Sequence, residues 1–172
     1  MHDKIPSVHK TVLLQETIDG LLARHSLGDG GNKDLIVVDG TFGGGGHSAE
    51  ICKRFPKVKI IAIDQDHSAF KKAEHKFKDM SEAGLKCDVD FVNENFRNID
   101  KILKEKKTGQ VDGIILDLGL SSDQLENSAR GFSFMKDEPL FMQMKQREKL
   151  LEKANPYSED VTAEEIVNDW GE

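Results

Sequence analysis

The sequence predicts a doubly wound α/β domain, a parallel sheet of about four strands in the order 3-2-1-4 flanked by helices. Three observations carry this. The runs "LIVVDG" (35–40), "KIIAID" (59–64) and "DGIILDLG" (112–119) are nearly continuous Ile, Val and Leu, the composition of parallel strands covered on both faces. Helical patterns alternate with the strands at the spacing of right-handed crossovers. The first strand also runs directly into a turn of four glycines, Gly43 to Gly46.

The elements follow in order. An amphipathic segment, "TVLLQETIDGLLARH", precedes the sheet, and the polar stretch "SLGDGGNKD" (26–34) links it to the first strand. "SAEICKRF" reads as the helix after the glycines. "SAFKKAEHKFKDM" follows the second strand, with Phe70, Ala73 and Phe77 on one face. The third strand is "VDFVNEN" (89–95), and "NIDKILKEKK" after it turns Ile99, Ile102 and Leu103 inward. After Gly119 the strand pattern stops. Residues 121–153 read as short helices and loops, and "VTAEEIVNDW" opens one more helix with Thr162 and Glu165 as a capping box. The expected division is therefore a sheet domain over residues 1–120 and the beginning of a helical domain over 121–172. The order 3-2-1-4 leaves the fourth strand at an edge, and "GIILDLG" is too apolar for a comfortable one. A second copy in a homodimer, or a continuation of a longer native chain, is expected to cover it.

Composition narrows the class. The 172 residues suffice for one real core, and no run approaches the roughly 20 apolar residues of a membrane helix. "MHDKIPSVHK" has no apolar signal region, so a cytoplasmic location is the expectation. The net charge is −7, and six acids with no Lys or Arg lie between Glu159 and Glu172, so the remainder is nearly neutral. Charge thus neither suggests nor excludes a nucleic-acid partner. Cys52 and Cys87 belong to no ligand-spaced set and are expected to be reduced thiols, with no metal site.

The chemistry gathers at the strand ends. Read from Asp39, the turn runs Asp39-x-Thr41-x-Gly43-x-Gly45. Gly43 and Gly45 permit a tight turn and close backbone approach, and Gly46 lies where helix packs on strand. The N–H groups near His47 and Ser48 then open a helix toward anything negative. Asp64 ends the second strand, 21 residues after Gly43, where an acid reaches a ribose diol. Phe96 follows the third strand and is placed to stack on adenine. Asp117 ends the fourth strand beside the glycine turn, and Gln124 follows on a helix capped by Ser121 or Ser122. In "ARGFSFMKDEPLFMQM", Arg130, Phe132 and Phe134 could form a base-stacking platform for RNA or fold a loop onto the core. The histidines show no triad or metal spacing, and only His47 is a site candidate.

Together, "HKTVLLQE", "VDGTFGGGGHS", "AIDQD", "ILDLGLSSDQLENSARGFSF" and "DEPLFMQM" closely resemble the RsmH (MraW) family. These are bacterial methyltransferases that modify N4 of a cytidine in the decoding region of 16S rRNA in the small ribosomal subunit, using S-adenosylmethionine. The resemblance implies a class I, Rossmann-like methyltransferase core with a helical domain inserted after the fourth strand. It implies donor contacts at Gly45, Gly46, His47, Asp64, Phe96, Asp117 and Gln124. Asp39 and Gly43 join them from the reading of the turn, with Asp39 suited to the donor's ammonium and the helix start at His47 to its carboxylate. Asp117 is the candidate catalytic residue. The chain departs from the family in two respects. It has Phe141-Met142-Gln143-Met144 where the family usually reads Asp-Met-Arg-Met, and it is much shorter than members of roughly 300 residues.

Two other readings stand beside this one. A non-catalytic adenosyl-binding fragment would act through a partner at the open edge. A nicotinamide oxidoreductase fits less well, because Thr41 replaces the first glycine of G-x-G-x-x-G.

Overall fold

A computed structural model describes residues 11–26, 34–85, 87–144 and 161–170. The link at 27–33 and the loops expected at 145–153 lie outside these residues. The described chain forms two compact units, one spanning Lys10–Leu118 and the other drawn from the residues from Gly119 onward.

The first unit is built on four parallel strands in the order β3-β2-β1-β4, as the apolar runs predict. β1 is Ile36–Asp39, β2 Lys59–Ile63, β3 Asp88–Val92 and β4 Gly113–Ile115. β1 is central: Val38 lies opposite Ile61 on β2 and Ile114 on β4. Side chains alternate across the sheet, so each strand contributes to two cores. Val37, Ile60 and Ala62 face one side, with Ile18 and Leu22 of α1 (Leu14–Ser26), Ile51 of α2 (Gly46–Arg54), and Phe70 and Ala73 of α3 (His67–Glu82). Val38, Ile61 and Ile63 face the other side and meet Ile102 of α4 (Ile99–Glu105), with Ile99 and Leu103 packed around it.

α2 crosses from β1 to β2, α3 from β2 to β3, and α4 then carries the chain back to the far side of β1. The chain thus reverses direction across the sheet between β1 and β4, and in open α/β sheets the ligand crevice forms at such a reversal. α1 covers one face of β4. It fits there because position 113 is glycine: a Cβ on Gly113 would lie 2.8 Å from Leu21 Cγ.

Two strands are shorter than their sequence runs suggest. β3 ends at Val92 rather than Asn95, since Glu94 and Asn95 turn their side chains back on the backbone: Glu94 accepts from Asn95 N–H and Asn95 from Arg97 N–H. β4 ends at Ile115 because its neighbour β1 ends at Asp39. Gly40 N–H still bonds Ile115 O, but the next donor, Asp117 N–H, goes to the Thr41 hydroxyl, and the ladder stops. Beyond this point Leu116 and Leu118 are 48% and 69% exposed, and Ile114 within β4 is 44% exposed on its outer face.

In the second unit, α5 (Ser122–Asn127) and α6 (Ala163–Asp169) each begin in a capping box, Ser121 with Gln124 and Thr162 with Glu165. The Thr162 box is the one its sequence predicts.

The cysteines correct the expectation of two free thiols. Cys52 and Cys87 form a disulfide with Cα atoms 5.5 Å apart. The signals used for the expectation, compartment and motif spacing, are blind to a contact made by packing. Cys52 faces inward from α2 at 1% exposure, and Cys87, just before β3, packs against the same core. The bridge spans 35 residues, a loop whose closure in the unfolded chain stabilises the fold by about 3–4 kcal/mol on the chain-entropy account. Urea denaturation with and without dithiothreitol should therefore give clearly separated midpoints, and Cys87→Ser should reproduce the lower one. Coincident midpoints would show that the bridge contributes nothing.

Candidate functional site

The site is the carboxyl end of β1. The last β1 residue, Asp39, is 1% exposed. Its Oδ2 accepts a 2.6 Å hydrogen bond from Ser48 Oγ on α2, and its Oδ1 is buried without a hydrogen-bond partner among the described residues. Burial raises the Asp39 pKa, against the opposing influences of Ser48, His47 and the Thr41 backbone. His47, at the start of α2, is also buried, and its Nε2 likewise has no partner among the described residues. Two buried polar atoms left open at one helix start need an explanation. A polar ligand seated there supplies one.

The glycines build the turn between them. Gly43 and Gly45 have φ of +50° and +65°, the left-handed region that costs other residues most. A Cβ on Gly45 would lie 2.7 Å from Phe42 Cζ and 3.1 Å from Phe77. A Cβ on Gly46 would run into Thr11 Oγ1, so the first turn of α2 rests directly on the Thr11 side chain. Beneath the turn lies an aromatic cluster: Phe42 with Phe91 at 5.4 Å and with Phe70 at 5.6 Å, and Phe77 beside them. At this separation and these tilts the rings attract beyond simple area burial.

Three bonds fix the turn from outside. Gly43 N–H donates to Asp64 Oδ2 at 2.7 Å, Gly45 N–H to Phe42 O at 2.8 Å, and Lys76 Nζ on α3 to Gly44 O at 2.7 Å. Asp64 also takes Asp66 N–H on its other oxygen at 2.9 Å, and Asp66 caps α3 through Ser68 N–H. The carboxylate that the sequence assigns to a ribose thus already organises two turns.

Phe96 opens a short 3₁₀ turn, Phe96–Asn98. Its Cβ would stand 3.3 Å from a Cβ on Gly40, so it packs over the end of β1. Asp117 is exposed, and its N–H is tied to Thr41 Oγ1 at 2.7 Å. Asp39, Gly43, Gly45, Gly46, His47, Asp64, Phe96 and Asp117 all fall in the Lys10–Leu118 unit.

The remaining candidates lie in the second unit and have local work. Gln124 Oε1 accepts from Ser121 N–H, and its amide nitrogen bonds Met144 Sδ at 3.5 Å. Arg130 sends its guanidinium to the carbonyls of Gln143 and Met144, with Phe132 beneath it at 5.6 Å. Arg130 is therefore a latch holding residues 130–132 against 142–144. Gln143 adds a bond to Val161 O, and Ala163 N–H bonds Phe141 O, so this segment is anchored without the family's Asp and Arg. Phe134 is 96% exposed.

Sequence reasoning missed Thr11, Phe42 and Lys76. Only Phe42 carried a signal, as the aromatic inside the glycine motif. No helix among the described residues is long and apolar enough to cross a membrane.

A buried carboxylate with a raised pKa costs stability once the pH exceeds its unfolded value of 3.8. Stability conferred by keeping Asp39 protonated is lost as pH rises from there through its folded pKa. Asp39→Asn should therefore gain in melting temperature over the parent as pH rises from 4 to 7, while losing ligand affinity. A constant difference across that range would refute the assignment. Gly45→Ala should destabilise by about 2 kcal/mol or more, from the left-handed backbone and the contact with Phe42.

The MraW methylase family model matches residues 6–172. Among curated relatives, "Ribosomal RNA small subunit methyltransferase H" of Clostridium botulinum (strain Kyoto / Type A2) is 46% identical over 95% of this chain and 49% of its own length. The protein of the same name from Acetivibrio thermocellus is 40% identical over 95% of this chain and 45% of its own. The chain spans about half the length of the curated relatives it matches. A solved coclaurine N-methyltransferase bound to N-methylheliamine and S-adenosylhomocysteine aligns at a TM-score of 0.34 with 16% identity, over 54% of this chain and 24% of that one.

Proposed function

From a chain that belongs to the MraW methylase family, we propose that the β1 end is the S-adenosylmethionine site of a small-subunit ribosomal RNA methyltransferase, acting on N4 of a cytidine in the decoding region of 16S rRNA. The observation that carries the donor assignment is the pair of buried atoms without a hydrogen-bond partner among the described residues, Asp39 Oδ1 and His47 Nε2, beside Gly45 and Gly46, which leave no space for a side chain. A zwitterionic amino-acid tail answers both. Its ammonium suits Asp39 and restores the ionised form that burial disfavours. Its carboxylate suits the first-turn amides of α2 and His47, where the helix end favours an anion. Asp64 faces the ribose, and Phe96, packed over Gly40, stacks on the base. Gln124 is retained from the family pattern as a donor contact, requiring its amide to exchange its bond to Met144.

When bound, the donor supplies an electrophilic methyl on a sulfonium, and the residues here position the partners and exclude water. Cytosine N4 is a poor nucleophile because its lone pair is conjugated with the ring. A hydrogen-bond acceptor on the amino group turns that lone pair toward the methyl, and exposed Asp117, tethered to Thr41 at the crevice, takes this role. No strong base is needed, since the N4 proton acidifies as the new bond forms. The cytidine has to be unstacked to reach such a site. Phe134, almost fully exposed, is the aromatic offered to RNA, and Arg130 with Phe132 supports the loop that carries it. The division into a donor domain over 1–120 and the start of a substrate domain over 121–172, the cytoplasmic setting, and a second copy or further chain on the β4 edge complete the proposal.

Calorimetry should give S-adenosylhomocysteine binding with no binding of NAD. The 172-residue chain incubated with labelled S-adenosylmethionine and 30S particles should place label on a cytidine of 16S rRNA, with a loss of at least 100-fold in Asp117→Ala and unchanged donor affinity in Phe134→Ala. Donor binding without any transfer would show that these residues hold the donor site and not a working enzyme.

A further inference from the structure

Gly44 has no positive φ in the turn and no close neighbour: a Cβ there would meet nothing within 4 Å. Packing therefore does not place this residue, in contrast to Gly45 under Phe42 and Gly46 against Thr11. Its carbonyl is placed by a single long-range bond, from Lys76 Nζ at 2.7 Å, 32 residues along the chain. Gly45 N–H of the same peptide unit bonds Phe42 O, and Gly43 N–H two residues earlier bonds Asp64, so the Gly44–Gly45 unit that leads into α2 is held at both its oxygen and its nitrogen. The next units, entering α2, carry first-turn amides that have no partner within the helix.

We propose that Lys76 is a positioning residue for the amino-acid tail of the methyl donor, acting through the Gly44 carbonyl. The proposal rests on the donor site assigned above. α3 also meets the turn through Phe70 and Phe77 under Phe42 and Gly45, and Asp64 and Asp66 tie its start to the side assigned to the ribose. Lys76 anchors the opposite side, where the tail's carboxylate meets α2. The two anchors divide the site: losing Asp64 loosens the nucleoside end, and losing Lys76 loosens the tail end alone. Lys76 is exposed on α3, yet partial desolvation, followed by the charge of Lys53, lowers its pKa, and Lys53 in turn meets Glu50 at 3.6 Å.

The division is testable with two ligands that share the nucleoside and differ in the tail. S-adenosylhomocysteine carries the amino acid, and 5′-methylthioadenosine lacks it. Affinities for both, by calorimetry and ligand-observed NMR on the 172-residue chain, should respond differently in Lys76→Met. Binding of S-adenosylhomocysteine should fall about tenfold, and binding of 5′-methylthioadenosine should stay within about twofold. Lys76→Arg, which keeps a donor of similar reach, should recover most of the loss, and Lys76→Gln should fall between. Melting temperatures of all three should match the parent within about 2 °C, since the side chain is exposed. An equal loss for both ligands would overturn the proposal in favour of a general structural role, and an unchanged affinity for S-adenosylhomocysteine would overturn it outright. Parent protein that binds neither ligand would instead defeat the donor assignment itself.

Discussion

The Asp64 carboxylate is the interaction on which the remaining geometry depends. One oxygen holds Gly43 N–H and the other Asp66 N–H. Through the first it fixes a left-handed glycine at the end of β1, and through the second it sets the residue that caps α3. α3 in turn delivers Phe70 and Phe77 to the aromatic cluster under the turn, and Lys76 to its rim. A charged acceptor makes stronger hydrogen bonds to backbone N–H than a neutral one. One strand-end side chain therefore couples the first two βα units, and the site between them inherits its shape from that coupling.

Against this well-bonded frame, Asp39 and His47 are exceptions. The structure gives Thr41, Ser48, Asp64 and Asp66 internal partners, yet Asp39 Oδ1 and His47 Nε2, eight residues apart, have none among the described residues. Each such atom costs on the order of 1–3 kcal/mol if nothing answers it. Folding stability alone does not favour that arrangement. Local rules that a sequence breaks without internal compensation fall where function requires them, and here they fall at the carboxyl end of the central strand, beside the reversal of strand order.

The sequence made the sheet legible because burial on both faces leaves a simple trace: unbroken apolar runs at crossover spacing. The glycine turn and Asp64 were legible from their 21-residue offset, because that spacing is one helix and one strand. The rest depends on contacts that no spacing records. Cys52 meets Cys87 because the inward face of α2 packs on the core near β3, and nothing in either local sequence marks this. Lys76 sits in a lysine-rich helix face that reads as solvated surface, and its bond to Gly44 emerges only once α3 is seated. Arg130 has a local bond of the same kind: its Nη1 donates to the carbonyls of Gln143 and Met144, a contact its neighbours in the sequence do not mark. β4 was over-read because its apolar composition continues past the point where the ladder loses its neighbour, and β3 because Glu94 and Asn95 turn their side chains onto the backbone, which strand composition does not show.

The exposed apolar end of β4 follows from the same topology. β4 pairs only with β1 among the described strands, and it stops when β1 turns away into the glycines. Leu116 and Leu118 are left in solvent where the ladder ends. Asp117 lies between them, held by its N–H to Thr41. The end of the ladder thus does two things at once: it leaves Leu116 and Leu118 exposed, and it frees the Asp117 N–H to bond the Thr41 hydroxyl beside the glycine turn.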